Sequence, residues 1–72
     1  VIRPIVVTGA ASGIGAATAA TLRANGQTVI GVDRWGSDID ADLGSPDGRS
    51  AMYDAVASAA PGGIAAILAG AG

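Results

Sequence analysis

The chain has 72 residues, a net charge of −2, 50% apolar and 3% aromatic residues, and neither Cys nor His. That length admits one small unit. The missing Cys and His remove disulfides, thiolate metal sites, and the commonest general base and zinc ligand, and the acidic balance leaves no basic footprint for nucleic acid.

Val1 to Thr8 is a short apolar run rich in β-branched residues and predicts a buried strand. Pro4 is tolerable near its start, where proline forfeits little pairing. Arg3 and Pro4 leave the run too short for a signal-peptide core, and no stretch approaches the ~20 apolar residues of a membrane helix. The expectation is a cytoplasmic protein without a membrane or nucleic-acid partner. Gly9 to Gly15 predicts a small-residue turn, and Gly13 to Asn25 a helix. Ile14, Ala17, Thr18, Thr21 and Leu22 recur at helical spacing and share one face. Asn25-Gly26 is a stop, with Gly26 suited to the left-handed position beyond a helix.

Thr28 to Asp33 predicts a second strand, Arg34 to Asp38 a join too short for a helix, and Ile39 to Asp42 a brief third strand. Ser45-Pro46-Asp47 reads as a helix start, with a hydroxyl cap, a first-turn proline and an acid at the positive end. Met52, Ala55, Val56 and Ala59 continue that helix, and Pro61-Gly62-Gly63 ends it. Ile64 to Ala69 predicts a fourth strand. The alternation argues for an α/β fold with a parallel sheet and crossover helices. The expected sheet is Rossmann-like but incomplete, with strand order 3-2-1-4 and helices on both faces.

The glycine turn follows a strand and opens a helix, which is the setting a dinucleotide needs: its pyrophosphate rests on the free N–H groups and positive dipole end of a helix. Gly9 is expected to turn the chain off the strand, Gly13 to let the backbone approach the phosphates, and Gly15 to let the helix pack close. The spacing G-x-x-x-G-x-G is a variant of the common fingerprint, and a Gly/Ala-rich turn in any α/β protein would satisfy the glycines alone. Asp33 narrows that choice. It ends the second strand about twenty residues on, where an acid accepts hydrogen bonds from ribose hydroxyls.

Thr8 through Gly15 resembles the T-G-x-x-x-G-x-G segment of classical short-chain dehydrogenases/reductases. Asp42-Leu43 resembles their acidic-plus-aliphatic pair, which lies against adenine. Ile67-Leu68-Ala69-Gly70 occupies the place of their N-N-A-G segment, with Leu68 where the family usually has the Asn that ties the central strands. The short join, and the run from Val32 to Arg49, are similar to bacterial 3α-hydroxysteroid dehydrogenase/carbonyl reductases. The resemblance implies that residues 1–72 are the N-terminal part of a single NAD(P)-binding domain. It implies a cofactor site of Gly9, Ser12, Gly13, Ile14, Gly15, Asp33, Arg34, Asp42, Leu43, Ala69 and Gly70, with NAD favoured over NADP by the Asp33 carboxylate. The implied parent enzyme moves hydride between a nicotinamide ring and an alcohol or ketone, such as a hydroxysteroid, and forms a homo-oligomer. The family's catalytic Ser, Tyr and Lys lie beyond the fourth strand, so no catalytic residue is assigned. The rival reading is a stand-alone nucleotide-binding or interaction module.

Several residues carry a second reading. Tyr53 has Ala57, not Lys, four positions on, so it is read as structural. Ser12 suits a cofactor contact or an ordinary turn serine. Arg34 suits stacking on adenine or a solvated surface, and Trp35 an adenine edge or plain packing. Asp38, Asp40 and Asp42 alternate with Ile39 and Ala41 and lack the loop and terminal Glu of a calcium hand. No metal site is assigned, and Asp38 and Asp40 are expected on a solvated edge.

Overall fold

The computed structural model describes residues 3–11 and 13–69. Strand β1 spans Ile5–Thr8. It starts later than the apolar run predicts, because Pro4 has no N–H to give. Pro4 lies just before the strand, and its carbonyl accepts the Ala65 N–H at 2.8 Å. Val1 and Ile2 lie outside the described residues.

Helix α1 spans Gly13–Ala24. It ends where Asn25-Gly26 predicts. Gly26 has a φ of 84°, its N–H donates to Arg23 O, and Gln27 N–H donates to Leu22 O, both at 3.0 Å. Two of the helix's unpaired carbonyls are thereby satisfied. Strand β2 spans Val29–Asp33. Strand β3 is shorter than expected, Ile39–Asp40, because Asp42 turns the chain. Its Oδ1 accepts from Gly44 N–H at 2.9 Å, and its carbonyl accepts from Ser45 N–H at 3.2 Å. Helix α2 spans Pro46–Ala59, with Ser45 as its cap and Asp47 in its first turn. The Ser45 Oγ accepts from Gly48 N–H at 3.0 Å. Strand β4 spans Ala66–Ala69, later than the Ile64 expected.

The four strands form one parallel sheet in the order β3-β2-β1-β4. Ile5 lies opposite Val29 and Ala66, and Thr8 opposite Val32 and Ala69. Successive residues face opposite sides of a sheet, and two cores follow. Val6, Ile30 and Val32 pack with Met52 and Val56 of α2, with Ala60 just beyond it, and with Ala41. Val7 and Val29 pack with Ala19 of α1. One helix therefore covers each face, as parallel sheets require.

The apolar stripe of α1 departs from expectation. Ile14, Ala17, Thr18, Thr21 and Leu22 do share one face, but together they line a shallow outer groove. Ile14 is 76% exposed, whereas the buried residues of the helix are Gly15 and Ala19. The reason is steric: these two small residues, four apart, let the helix axis approach the sheet, and the larger side chains turn outward. Only Leu22 reaches the core margin.

Candidate functional site

The sheet reverses direction of growth at β1: β2 lies on one side of it and β4 on the other. Ligands of open α/β sheets bind beyond the carboxyl ends of the strands at such a switch point. The glycine turn sits there.

Gly9 and Gly13 adopt φ of 68° and 60°, left-handed values that an L side chain resists. Nothing lies within 4 Å of where a Cβ at Gly13 would stand. The space beside the backbone that opens α1 is thus open on that side. Gly15 is different. A Cβ there would overlap the carbonyl of Gly9 and crowd the Thr8 carbonyl at the end of β1, so Gly15 lets the start of α1 lie close to both the turn and the strand. Ile14 is exposed on the outer side. Ser12 lies outside the described residues.

Asp33 ends β2 facing this turn. Its Oδ2 accepts the Ala11 N–H at 2.9 Å, and its Oδ1 accepts the Arg34 N–H at 2.7 Å. These hydrogen bonds, Ala11 first, and then the Arg34 guanidinium hold its carboxyl below the ordinary value of 3.8. The Ala10 N–H also reaches Val32 O at 3.2 Å. The glycine turn is therefore tied to the end of β2 at two successive residues. Each carboxylate oxygen keeps a lone pair for a further donor.

A cleft of about 200 Å³ opens beside it, lined by Gly9, Asp33, Arg34, Ala41, Asp42, Leu43 and Gly44. Five residues singled out from sequence, Gly9, Asp33, Arg34, Asp42 and Leu43, thus meet around one space. Gly13 and Gly15 flank it through the turn. Ala69 ends β4 beside Thr8, on the other side of β1 from the cleft. Gly70 lies outside the described residues. Trp35 is not in the cleft lining: it is 70% exposed, with the Arg34 guanidinium 5.7 Å from its ring centroid. Leu68, in place of the family's Asn, leaves a tie of another kind: the Thr8 hydroxyl donates to Leu68 O at 3.4 Å.

Other contributors were not visible in the sequence. Ala11 acts through its backbone N–H, which no side-chain motif announces. Ala41 is buried in the cleft wall. Gly48 lets the first turn of α2 lie on Asp42, whose carbonyl a Cβ there would overlap. Arg49 donates to Leu43 O at 3.1 Å, fixing the other wall. Asp38 lies exposed, as expected of a solvated edge, and there it also accepts from Arg23 Nη2 and from Gly31 N–H, both at 2.9 Å. Asp40 is exposed too, its Oδ1 accepting from Ser37 N–H at 3.3 Å. Among the described residues, no three His, Cys, Asp or Glu groups gather as metal ligands. No helix there is long and apolar enough to cross a membrane.

No family model matches the chain. It is 52% identical to coniferyl-alcohol dehydrogenase of Pseudomonas sp. (strain HR199 / DSM 7063), over 64% of this chain and 20% of that protein. It is 41% identical to 3-alpha-hydroxysteroid dehydrogenase/carbonyl reductase of Comamonas testosteroni, over 81% of this chain and 23% of that protein. The crystal structure of 3-alpha-hydroxysteroid dehydrogenase from Pseudomonas sp. B-0831, complexed with NADH, superposes with a TM-score of 0.92 at 44% identity, over 97% of this chain and 31% of that one. The chain thus spans less than a third of each relative. Its homologues, matched through the sheet, both helices and the glycine turn, are dehydrogenases of the short-chain dehydrogenase/reductase family.

Proposed function

We propose that this chain is the cofactor-binding portion of an NAD-dependent oxidoreductase that interconverts an alcohol and a ketone, with a hydroxysteroid as the substrate class. The observation that carries the reading is the close superposition on an NADH-bound hydroxysteroid dehydrogenase, joined to a cleft where Asp33, Asp42 and Leu43 meet beside the glycine turn. The bound nicotinamide would supply hydride exchange, and the protein's part is to hold and orient it.

The residues divide that task by their chemistry. The bare backbone at Gly13, with Ser12, Ile14 and Gly15, offers N–H donors to the pyrophosphate at the start of α1. The remaining lone pairs of Asp33 accept from the adenosine ribose hydroxyls. Ala41 and Leu43 form an apolar seat for adenine, with Asp42 at its edge and Arg34 stacked above. Ala69 and Gly70 leave room for the nicotinamide half beside β4. Proton transfer at the substrate falls to groups outside these residues. In this reading the whole enzyme works in the cytoplasm as a homo-oligomer.

NAD is favoured because a 2′-phosphate would meet the Asp33 carboxylate, a like-charge contact costing on the order of a few kcal/mol at an effective dielectric near 20. The test uses the complete polypeptide encoded by the reading frame that carries these residues. Titration with NAD and NADP should show tighter NAD binding, and hydroxysteroid oxidation should follow NAD. Asp33→Ala should narrow the preference by tenfold or more, taking about 1.4 kcal/mol as tenfold. A wild-type protein that prefers NADP would sink the role given to Asp33.

A further inference from the structure

Parallel strands that are neighbours in a sheet are ordinarily joined by about a dozen residues or more, commonly through a helix. Here β2 and β3 are parallel neighbours, paired at Val32 with Ile39 and Asp33 with Asp40. Residues 34–38 alone connect them. The join leaves from Asp33, one wall of the cleft, and delivers Ala41 to Leu43, the other wall. Whatever fixes the return point of the join therefore fixes the width of the cleft.

Asp38 is that return point. Strand β2 continues back through Gly31, but β3 has no residue left to pair there. The Asp38 carboxylate takes the place of the absent strand, its Oδ2 accepting the Gly31 N–H at 2.9 Å. The same oxygen accepts from Arg23 Nη2 at 2.9 Å, and that nitrogen lies 3.5 Å from Val29 O. Arg23 stands in the last turn of α1, so the contact joins the helix, β2 and the join at one oxygen. The space is tight as well: a Cβ at Gly31 would stand 3.0 Å from the Ala10 Cβ in the glycine turn and 3.1 Å from Ser37 Oγ.

We infer that Arg23 and Asp38 form a positioning pair that latches the 34–38 join to Gly31 and thereby holds the cleft walls at the spacing adenosine requires. The inference rests on the cofactor reading above. The two side chains are half-exposed, so the ion pair contributes little by itself. The hydrogen bond to Gly31 N–H is the anchoring element, and Arg23 orients the carboxylate that makes it.

The test again uses the complete polypeptide, with Asp38→Ala, Asp38→Asn and Arg23→Gln. Two measurements are made: amide hydrogen exchange at Gly31 without nucleotide, and dissociation constants for NAD and for nicotinamide mononucleotide, which has no adenosine. Asp38→Ala should speed Gly31 exchange and weaken NAD by about three- to tenfold, the span of one net hydrogen bond, with nicotinamide mononucleotide unchanged. Asp38→Asn should restore both, because its amide oxygen accepts the same N–H. Arg23→Gln should fall between. Equal weakening of both nucleotides, or unchanged NAD binding in Asp38→Ala, overturns the positioning role. Unchanged Gly31 exchange in that variant overturns the latch itself, whatever the cofactor. A wild-type protein that binds no NAD overturns the cofactor reading and the adenosine role with it, while Gly31 exchange still decides whether the latch exists.

Discussion

The carboxylate of Asp33 accepts two backbone N–H groups from different parts of the chain, Ala11 in the glycine turn and Arg34 in the join. Backbone donors favour the ionised form, so the folded-state pKa lies below the ordinary aspartate value. The sign of the linkage follows. A depressed folded pKa means stability that is fully present above the unfolded value and is lost as pH falls through the folded one. In the complete polypeptide, the melting-temperature advantage of wild type over Asp33→Asn should hold steady from about pH 7 to about pH 5 and fade below about pH 4. Thermal unfolding of both proteins across that range checks it. An advantage that grows on acidification contradicts the assignment of the two N–H donors.

At the level of elements, Gly15 and Gly13 lie in the same turn but do opposite things. A Cβ at Gly15 would overlap the Gly9 carbonyl, while the space at Gly13 is open. Gly15→Ala should therefore force α1 away from the turn and cost about 1–3 kcal/mol, as overpacking does. Gly13→Ala should cost only the left-handed strain, about 1–2 kcal/mol. Urea unfolding of the two variants in the complete polypeptide compares them, and a Gly15→Ala variant as stable as wild type would remove the close-packing argument. The elements themselves were legible in sequence because turns, caps and apolar periods are local signals. Ser45-Pro46-Asp47 starts a helix and Asn25-Gly26 stops one where expected. The strand order followed from parallel connection rules, Gly9 and Asp33 from motif spacing, and Asp42 and Leu43 from the family resemblance. The inward face of α1 was not legible. Periodicity marks Ile14, Ala17 and Leu22, but closeness of approach decides, and that favours Gly15 and Ala19. The two donors to Asp38 were not legible for a related reason. Its alternation with Ile39 is the local pattern of an exposed strand, and its partners, Gly31 and Arg23, lie 7 and 15 residues away.

On the scale of the whole molecule, the question is whether residues 1–72 hold themselves together. The side chains buried most completely are Val6, Val7 and Val32, and the two cores rely on Ala19, Ala41 and Ala60 for much of the rest. Alanine burial contributes less than the ~1.5–3 kcal/mol of a fully buried Leu or Ile. The sheet is also open where it should be covered. All four residues of β4 are exposed, with Ile67 at 50% and Leu68 at 39% on opposite faces. Among the described residues strand β4 ends the sheet, so one row of its N–H and C=O groups faces no strand there. The Ile14 groove on α1 adds a further uncovered apolar face. Chains of ~70–80 residues rarely stabilise one core unaided, and here no disulfide can help. Residues 1–72 expressed alone should therefore melt broadly, without a cooperative transition, and a longer polypeptide or partner chain that covers β4 and α1 should sharpen the melt. Dehydrogenase turnover should be absent too, since the chain has no Lys or His and Tyr53 stands 60% exposed on α2, away from the cleft. Calorimetry and an NAD-linked alcohol oxidation assay on the 72-residue chain decide both points. A sharp two-state transition would defeat the stability argument, and turnover above a blank the catalytic one.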